Sequence, residues 1–371
     1  MTDSTFSSCK SDDYYAEPCQ KVRTTCRRWM EGEKDWESNG RRSVAIRKEN
    51  MSTLAEIILK KKSEQPRWIE WDEENWHYQG EKFIGTDVQR QERVALYILA
   101  LDAINFCFWP CQKYPEETHI NSLEYEHLAV ALKKLAEADD NNHTEDLKSY
   151  FFSPHRLAEM TEDAMRSWLE PHLAGHYLDN MKKRSELWRE VGQVLLSHFD
   201  GSASKLISQA EGSAPKLVEL VFSHFPGFRD EAIDGANRIV FLKRAQIFVG
   251  DVNAALKLNL EGLDLLTTFA DYRVPQILRH FDILEYSPSL SNAVDSGVEL
   301  EKDSYDEISI RAATVVGVEE LANVLNADDT LKNVGEPFND VNVDWYLWQV
   351  SERMHHEGLL KPFHKVRTHF Y

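Results

Sequence analysis

GSAPKLVELVFSHFPGFRDEA (212–232), NRIVFLKRAQIFVGDVNAAL (237–256) and LTTFADYRVPQ (266–276) belong to one stretch, Gly212 to Gln276, whose reading decides the fold. Leu217, Leu220, Val221 and His224 recur at helical spacing, and Ser213 with Pro215 supplies a helix start. Pro226-Gly227 stops that helix, which puts Phe228-Arg229-Asp230 on a tight turn. Ile239, Leu242, Gln246, Val249 and Leu256 then mark one face of a second helix, with Lys243 and Arg244 near its middle. Ala270-Asp271 ends another apolar run, and Pro275 restarts a helix through Ile277, Leu278 and Phe281. Two turns thus carry an aspartate beside an aromatic and an arginine: Phe228-Arg229-Asp230 and Asp271-Tyr272-Arg273. In an all-helical body such turns can build a small polar pocket. The plainer reading makes Asp230 and Asp271 helix caps paired with nearby arginines, since Asp is an ordinary capping residue.

Outward from that stretch the pattern stays helical. Met51–Lys61, Gln91–Phe108, Glu124–Ala138, Arg156–Leu169, Met181–Phe199 and Glu319–Leu325 all read as helices. Ser43–Ile46 reads as a short strand, and Glu307–Val316 alternates well enough to be a strand or extended link. Asn292–Asp306 and Asn326–Asn342 read as polar loops. In the last helix, Asp344 is expected in the first turn, where the dipole favours a carboxylate, and Gly358 fits the C-terminal stop. Trp68, Trp71 and Trp76 make a Trp-dense segment, which more often covers a core edge than walls a pocket. The expected fold class is all-α, with minor short strands. Residues 1–40 read as a polar, partly mobile extension and 41–371 as a single helical domain.

The totals bound the function. A 371-residue chain with 42% hydrophobic residues, ten Trp and seventeen Phe buries a large core. Sixty-two acidic against 43 basic residues leave a formal charge of −19, which weighs against a broad surface for duplex nucleic acid or anionic membrane. A small-molecule site is favoured. Five cysteines and no leader pattern at the start point to reduced thiols in the cytoplasm. Cys107 and Cys111 lack a second pair at zinc spacing, so no metal is expected. Val94–Trp109, interrupted by Asp102 and Asn105, is too short and polar to span a bilayer. No Walker-type loop, G-x-G-x-x-G, H-E-x-x-H or G-x-S-x-G occurs, so no cofactor is expected.

NFCFWP (105–110), the segment from Gly212 to Ala232, FLKRAQIFVGD (241–251), TTFADYRVPQILRHF (267–281), DWYLWQ (344–349) and the terminal HKVRTHFY together resemble the queuosine salvage family. The resemblance runs from about residue 50 to the end. It implies one helical domain similar to the DNA glycosylases, without their duplex-binding role. It also implies hydrolysis of queuosine 5′-monophosphate to queuine and ribose 5-phosphate. By that resemblance Phe228 and Asp230 match the family's F-R-D, expected to hold the deazaguanine. Asp344 and Trp345 match an Asp-Tyr pair in the C-terminal helix, and His77 corresponds to a binding histidine. Gln349 is an amide where the family is expected to carry an acid, which makes Asp230 or Asp271 the stronger candidate for catalysis.

The chemistry sets what such a site needs. Cleaving an N-ribosyl bond passes through an oxocarbenium-like sugar. A 7-deazaguanine has carbon where a purine has N7, so departure cannot be helped by protonation there. A carboxylate set against the developing positive charge carries more of the work. A second carboxylate suits the guanine-like N1–H and exocyclic amine, an aromatic suits the ring face, and Lys or Arg suits the 5′-phosphate. Candidates are Asp230, Asp271 and Asp344 as acids; Phe228, Tyr272 and Trp345 as stackers; and Lys243, Arg244, Arg273 or Arg367 for the phosphate. The alternative is a non-catalytic helical protein that binds a modified nucleotide or a protein partner.

Overall fold

The computed structural model describes residues 18–32, 43–65, 67–109, 123–140, 147–328 and 337–371. Its helices are α1 (Pro18–Gly32), α2 (Met51–Glu64), α3 (Asp87–Ala103), α4 (Tyr125–Asp140), α5 (Pro154–Ala158), α6 (Glu162–Leu169) and α7 (Met181–His198). They continue as α8 (Ala203–Gln209), α9 (Ala214–His224), α10 (Lys243–Leu256), α11 (Arg273–His280), α12 (Pro288–Asp295), α13 (Tyr305–Ala327) and α14 (Asp340–His356). The strands form three two-stranded ribbons. β1 (Val44–Ile46) pairs antiparallel with β4 (Leu284–Tyr286), β2 (Glu231–Asp234) with β3 (Asn237–Val240), and β5 (Glu299–Leu300) lies parallel to β6 (Lys365–Val366). The architecture is mainly α, as the periodicity indicates.

Local chemistry starts these helices where they start. Thr86 and Gln89 close a capping box on α3, and Asn339 with Asn342 does the same for α14. The Ser213 hydroxyl accepts from the Lys216 N–H, with Pro215 in the first turn of α9. Two helices form the centre of the body. In α3 every residue from Glu92 to Ala103 is buried, and α13 is buried without a break from Glu307 to Val318. α10 packs along α3, and α14 lies against α11 and α13.

Several expectations need correction. Glu307–Val316 lies in the first half of a long helix, α13. It is buried on every side, so its apolar residues show no helical stripe and mimic a strand. The helix expected from Ile239 begins only at Lys243, because residues 231–240 form a hairpin turning at Gly235-Ala236, with Gly235 at φ +58°. α12 occupies the start of the expected polar loop near residue 292, begun by the Ser287 cap and Pro288. Asp344 lies in the second turn of α14, which starts four residues earlier. α1 lies within the segment read as an extension, yet Cys19, Val22, Cys26, Trp29 and Met30 form a buried face against α13 and β3. Cys111 and most of the acidic stretch after Asp140 lie outside the described residues.

Candidate active site

A cavity of about 400 Å³ opens between α10 and α14. Lys243, Ile247 and Asp251 line it from α10 at i, i+4 and i+8, so one helical face spans about 12 Å from the first to the last. From α14 come Asp344, Trp345, Trp348, Gln349, Glu352, Arg353 and His356. The segment from Trp71 to His77 closes one side, and Asn105, Phe106, Phe108, Phe269, Asp271, Tyr272 and Tyr371 complete the wall.

At one pole two carboxylates meet a lysine. Asp271 caps α11, its Oδ1 accepting from the N–H groups of Arg273 (2.8 Å) and Val274 (3.0 Å). Asp344 accepts at Oδ1 from the Thr268 hydroxyl and from the Phe269 N–H (2.8 Å). Each carboxylate is thus held by one oxygen, leaving Oδ2 toward the cavity. Burial pushes Asp271 above the usual carboxylate range, opposed by the Lys243 ammonium and the two N–H bonds. Asp344 is pushed well above it, by burial first and then by the Asp271 charge beside it. Lys243 is buried and drawn below its usual value by desolvation, with Asp271 acting the other way. Its ammonium donates to the Asn105 carbonyl at 3.3 Å. Of the pair, Asp344 is the one that keeps a proton and Asp271 the one that ionises first.

The other pole is aromatic and acidic. The Asp251 carboxylate accepts from the Trp71 indole, and burial lifts its pKa to about 6. His77 is 4% exposed, with Nδ1 2.7 Å from Asp72 Oδ1 and Nε2 2.7 Å from the Tyr125 hydroxyl. Trp71 stacks on the His77 ring at 4.5 Å. Tyr125, Trp76 and Trp348 meet one another edge to face, with centroids 5.4–6.3 Å apart.

The rim is an ion-pair network. Arg273 donates to Glu352 (2.7 Å) and Glu124 (3.2 Å), and Glu124 also holds His356 at 3.0 Å. Burial lifts Glu352 to about 7, with Arg273 opposing.

The structure brings together Asp271, Asp344, Tyr272, Trp345, Gln349, Lys243 and His77, seven of the residues singled out in the sequence. Two others are elsewhere. Asp230 is 1% exposed and bound bidentately by Arg311, with Oδ1–Nη1 at 2.9 Å and Oδ2–Nη2 at 2.5 Å. It also accepts from the Lys243 N–H at 3.1 Å, at the start of α10. Asp230 is therefore the capped, arginine-paired carboxylate of the plainer reading, and it does not line the cavity. Phe228 packs edge to face on Phe225 with the Arg244 guanidinium 4.9 Å from its ring, also behind the cavity wall. Arg244 is spent on the carbonyls of Ala103 and Gly227, and Arg367 on Asp179 and Glu299. Of the four cations considered for phosphate, only Lys243 lines the cavity. The Gln349 amide donates to the Glu70 carbonyl at 3.0 Å.

Asp251, Asp72 and Tyr125 were missed. Asp251 carried a usable signal, because it repeats the helical phase of Lys243 eight residues on. Asp72 and Tyr125 carried none, since they meet His77 only through the fold. The Trp-dense segment does wall the pocket, through Trp71 and Trp76, whereas Trp68 packs on Phe338 and Tyr346.

Comparison with known proteins follows the same lines. The model of the family described as queuosine salvage protein matches residues 86–371. A Dictyostelium discoideum protein named queuosine 5′-phosphate N-glycosylase/hydrolase is 34% identical over 340 residues, covering 91% of this chain and 96% of the relative. A Sphaerobacter thermophilus protein of the same name is 37% identical over 290 residues, 76% of this chain and 82% of its own. One from Mus musculus is 28% identical over 338 residues, 89% and 95% respectively.

Proposed function

The chain belongs to the queuosine salvage protein family, and from that premise we propose how its cavity works. It is a hydrolase that cleaves the N-glycosidic bond of queuosine 5′-monophosphate, releasing queuine and ribose 5-phosphate. The observation that carries the mechanism is the Asp271–Asp344–Lys243 cluster on the wall of an aromatic-lined cavity of nucleotide size. Ionised Asp271 faces the oxocarbenium-like ribose and orients the attacking water. Asp344 holds the proton of the pair and is the donor available to the departing base. Lys243 keeps Asp271 anionic. Trp345 and Tyr272 offer ring faces to the base, and Lys243, Arg353 and His356 are the cations on the wall for the phosphate.

The composition, with a charge of −19, supports a free nucleotide over a duplex. No described helix is long and apolar enough to cross a membrane. Cys26 and Cys107 are buried free thiols, which supports a reducing, cytoplasmic setting.

The direct test incubates the purified chain with queuosine 5′-monophosphate and follows free queuine by mass spectrometry. Catalytic release is expected; binding without release would make the protein a non-catalytic nucleotide binder. The shared proton gives a pH prediction. An anionic Asp271 is required and its pKa is raised, so the acid limb of kcat/KM is expected above the ordinary aspartate range near 3.8. Asp344 is still protonated when Asp271 ionises, so Asp344→Asn removes a proton donor but no charge: kcat should fall while the acid limb of the residual activity stays in place. A limb that moves to lower pH would mean that Asp344 is ionised beside Asp271.

A further inference from the structure

The Asp251 pole of the cavity differs in kind from the Asp271 pole. Asp251 is 4% exposed, is fixed by the Trp71 indole and has no ion pair with a lysine or arginine among the described residues. The nearby Tyr125 oxygen is committed in the same direction. Asp72 sits at His77 Nδ1 and takes its hydrogen; with the ring neutral, Nε2 is an acceptor and receives the Tyr125 hydroxyl hydrogen. The remaining valence of Tyr125 is a lone pair. Asp72 is itself held ionised: burial pushes it up, but the bonded His77 ring outweighs that and keeps it below the usual range. The open groups at this pole are therefore acceptors beside electron-rich ring faces, the surroundings that suit an ammonium with N–H bonds to give.

Queuine carries such a group, a protonated secondary amine on the substituent at position 7 of its ring. The position also fits. Asp251 stands two helical turns from Lys243 on the same face of α10, about 12 Å along the helix. A nucleotide with its ribose at the Asp271 pole thus has its ring substituent within the reach of Asp251. Resting on the hydrolase reading above, we propose that the Asp251–Tyr125 pole binds the cationic amine of the 7-substituent, and that these two residues set the preference for substituted over plain 7-deazaguanine nucleotides.

The test compares queuosine 5′-monophosphate with 7-deazaguanosine 5′-monophosphate, which lacks the amine, on the full chain. Wild type is expected to favour the substituted nucleotide in kcat/KM by about 10- to 100-fold, the range for a hydrogen bond to a charged group. In Asp251→Asn and in Tyr125→Phe that ratio should collapse toward one. A variant that loses the same factor on both substrates overturns the proposal. Calorimetric titration of the wild-type chain with free queuine and with 7-deazaguanine requires neither turnover nor a variant that folds. Tighter binding of queuine by a similar factor supports the amine pole, and equal affinities overturn it. If neither nucleotide is cleaved but queuine still binds preferentially, the hydrolase reading fails and the amine pole stands.

Discussion

Asp271→Asn is expected to lower kcat for queuine release by about 10³-fold, the scale for removing one preorganised charge from a water-poor site. The fold should hardly notice. Asp271 caps α11 through Oδ1, and asparagine is as good a cap as aspartate, so both N–H groups keep their acceptor. The substitution removes only the charge that, in the proposed mechanism, faces the reacting sugar. KM should move much less than kcat, because the interaction lost is made mainly in the transition state. Steady-state kinetics together with a thermal melt check both halves. A variant that melts like wild type and turns over within a few-fold of it would place the catalytic carboxylate elsewhere.

Asp230→Asn should do the opposite. Arg311 is 2% exposed, and its guanidinium holds both oxygens of Asp230 while its Nε donates to the Ala270 carbonyl. Burial pulls that guanidinium down, but Asp230 and then Glu307 outweigh it and hold it above its usual value. Breaking a buried pair from one side costs about 3–5 kcal/mol, and roughly 4–6 °C in Tm for a chain of this size. The family resemblance made Asp230 a candidate for catalysis. Its place outside the cavity lining points the other way: any loss of turnover should follow the loss of fold. Changing both partners, Asp230→Asn with Arg311→Met, should recover part of the melting temperature, because the uncompensated guanidinium is gone; recovery stays partial because Glu307, 3.5 Å from Arg311, then loses its own ion pair. Turnover lost at an unchanged melting temperature would return Asp230 to the chemistry.

The contrast between these two aspartates shows how far the sequence could be read. Both follow an apolar run and sit beside an aromatic and an arginine, and both turn out to be helix caps. What separates them is the partner supplied from far along the chain. Asp230 meets Arg311 across 81 residues, in a segment whose unbroken apolar pattern hid its helical character. Asp271 meets Lys243 and Asp344 instead, and a cavity. Local periodicity found most helices because one face of each is buried, and it failed where all faces are, as in α13. It also located Lys243, Tyr272, Trp345 and Gln349 on the right elements. The Asp72–His77–Tyr125 chain joins a loop to the start of α4, and no spacing rule encodes such a meeting.

One consequence concerns inheritance. Lys243, Ile247 and Asp251 share a helical phase, so losing or gaining a single residue between them would swing the later side chains by about 100° around the axis. The proposed chemistry at one pole and the proposed selectivity at the other would be uncoupled in one event. Related chains that share the proposed site are therefore expected to differ in length in their surface connections and to keep the eight-residue interval inside α10.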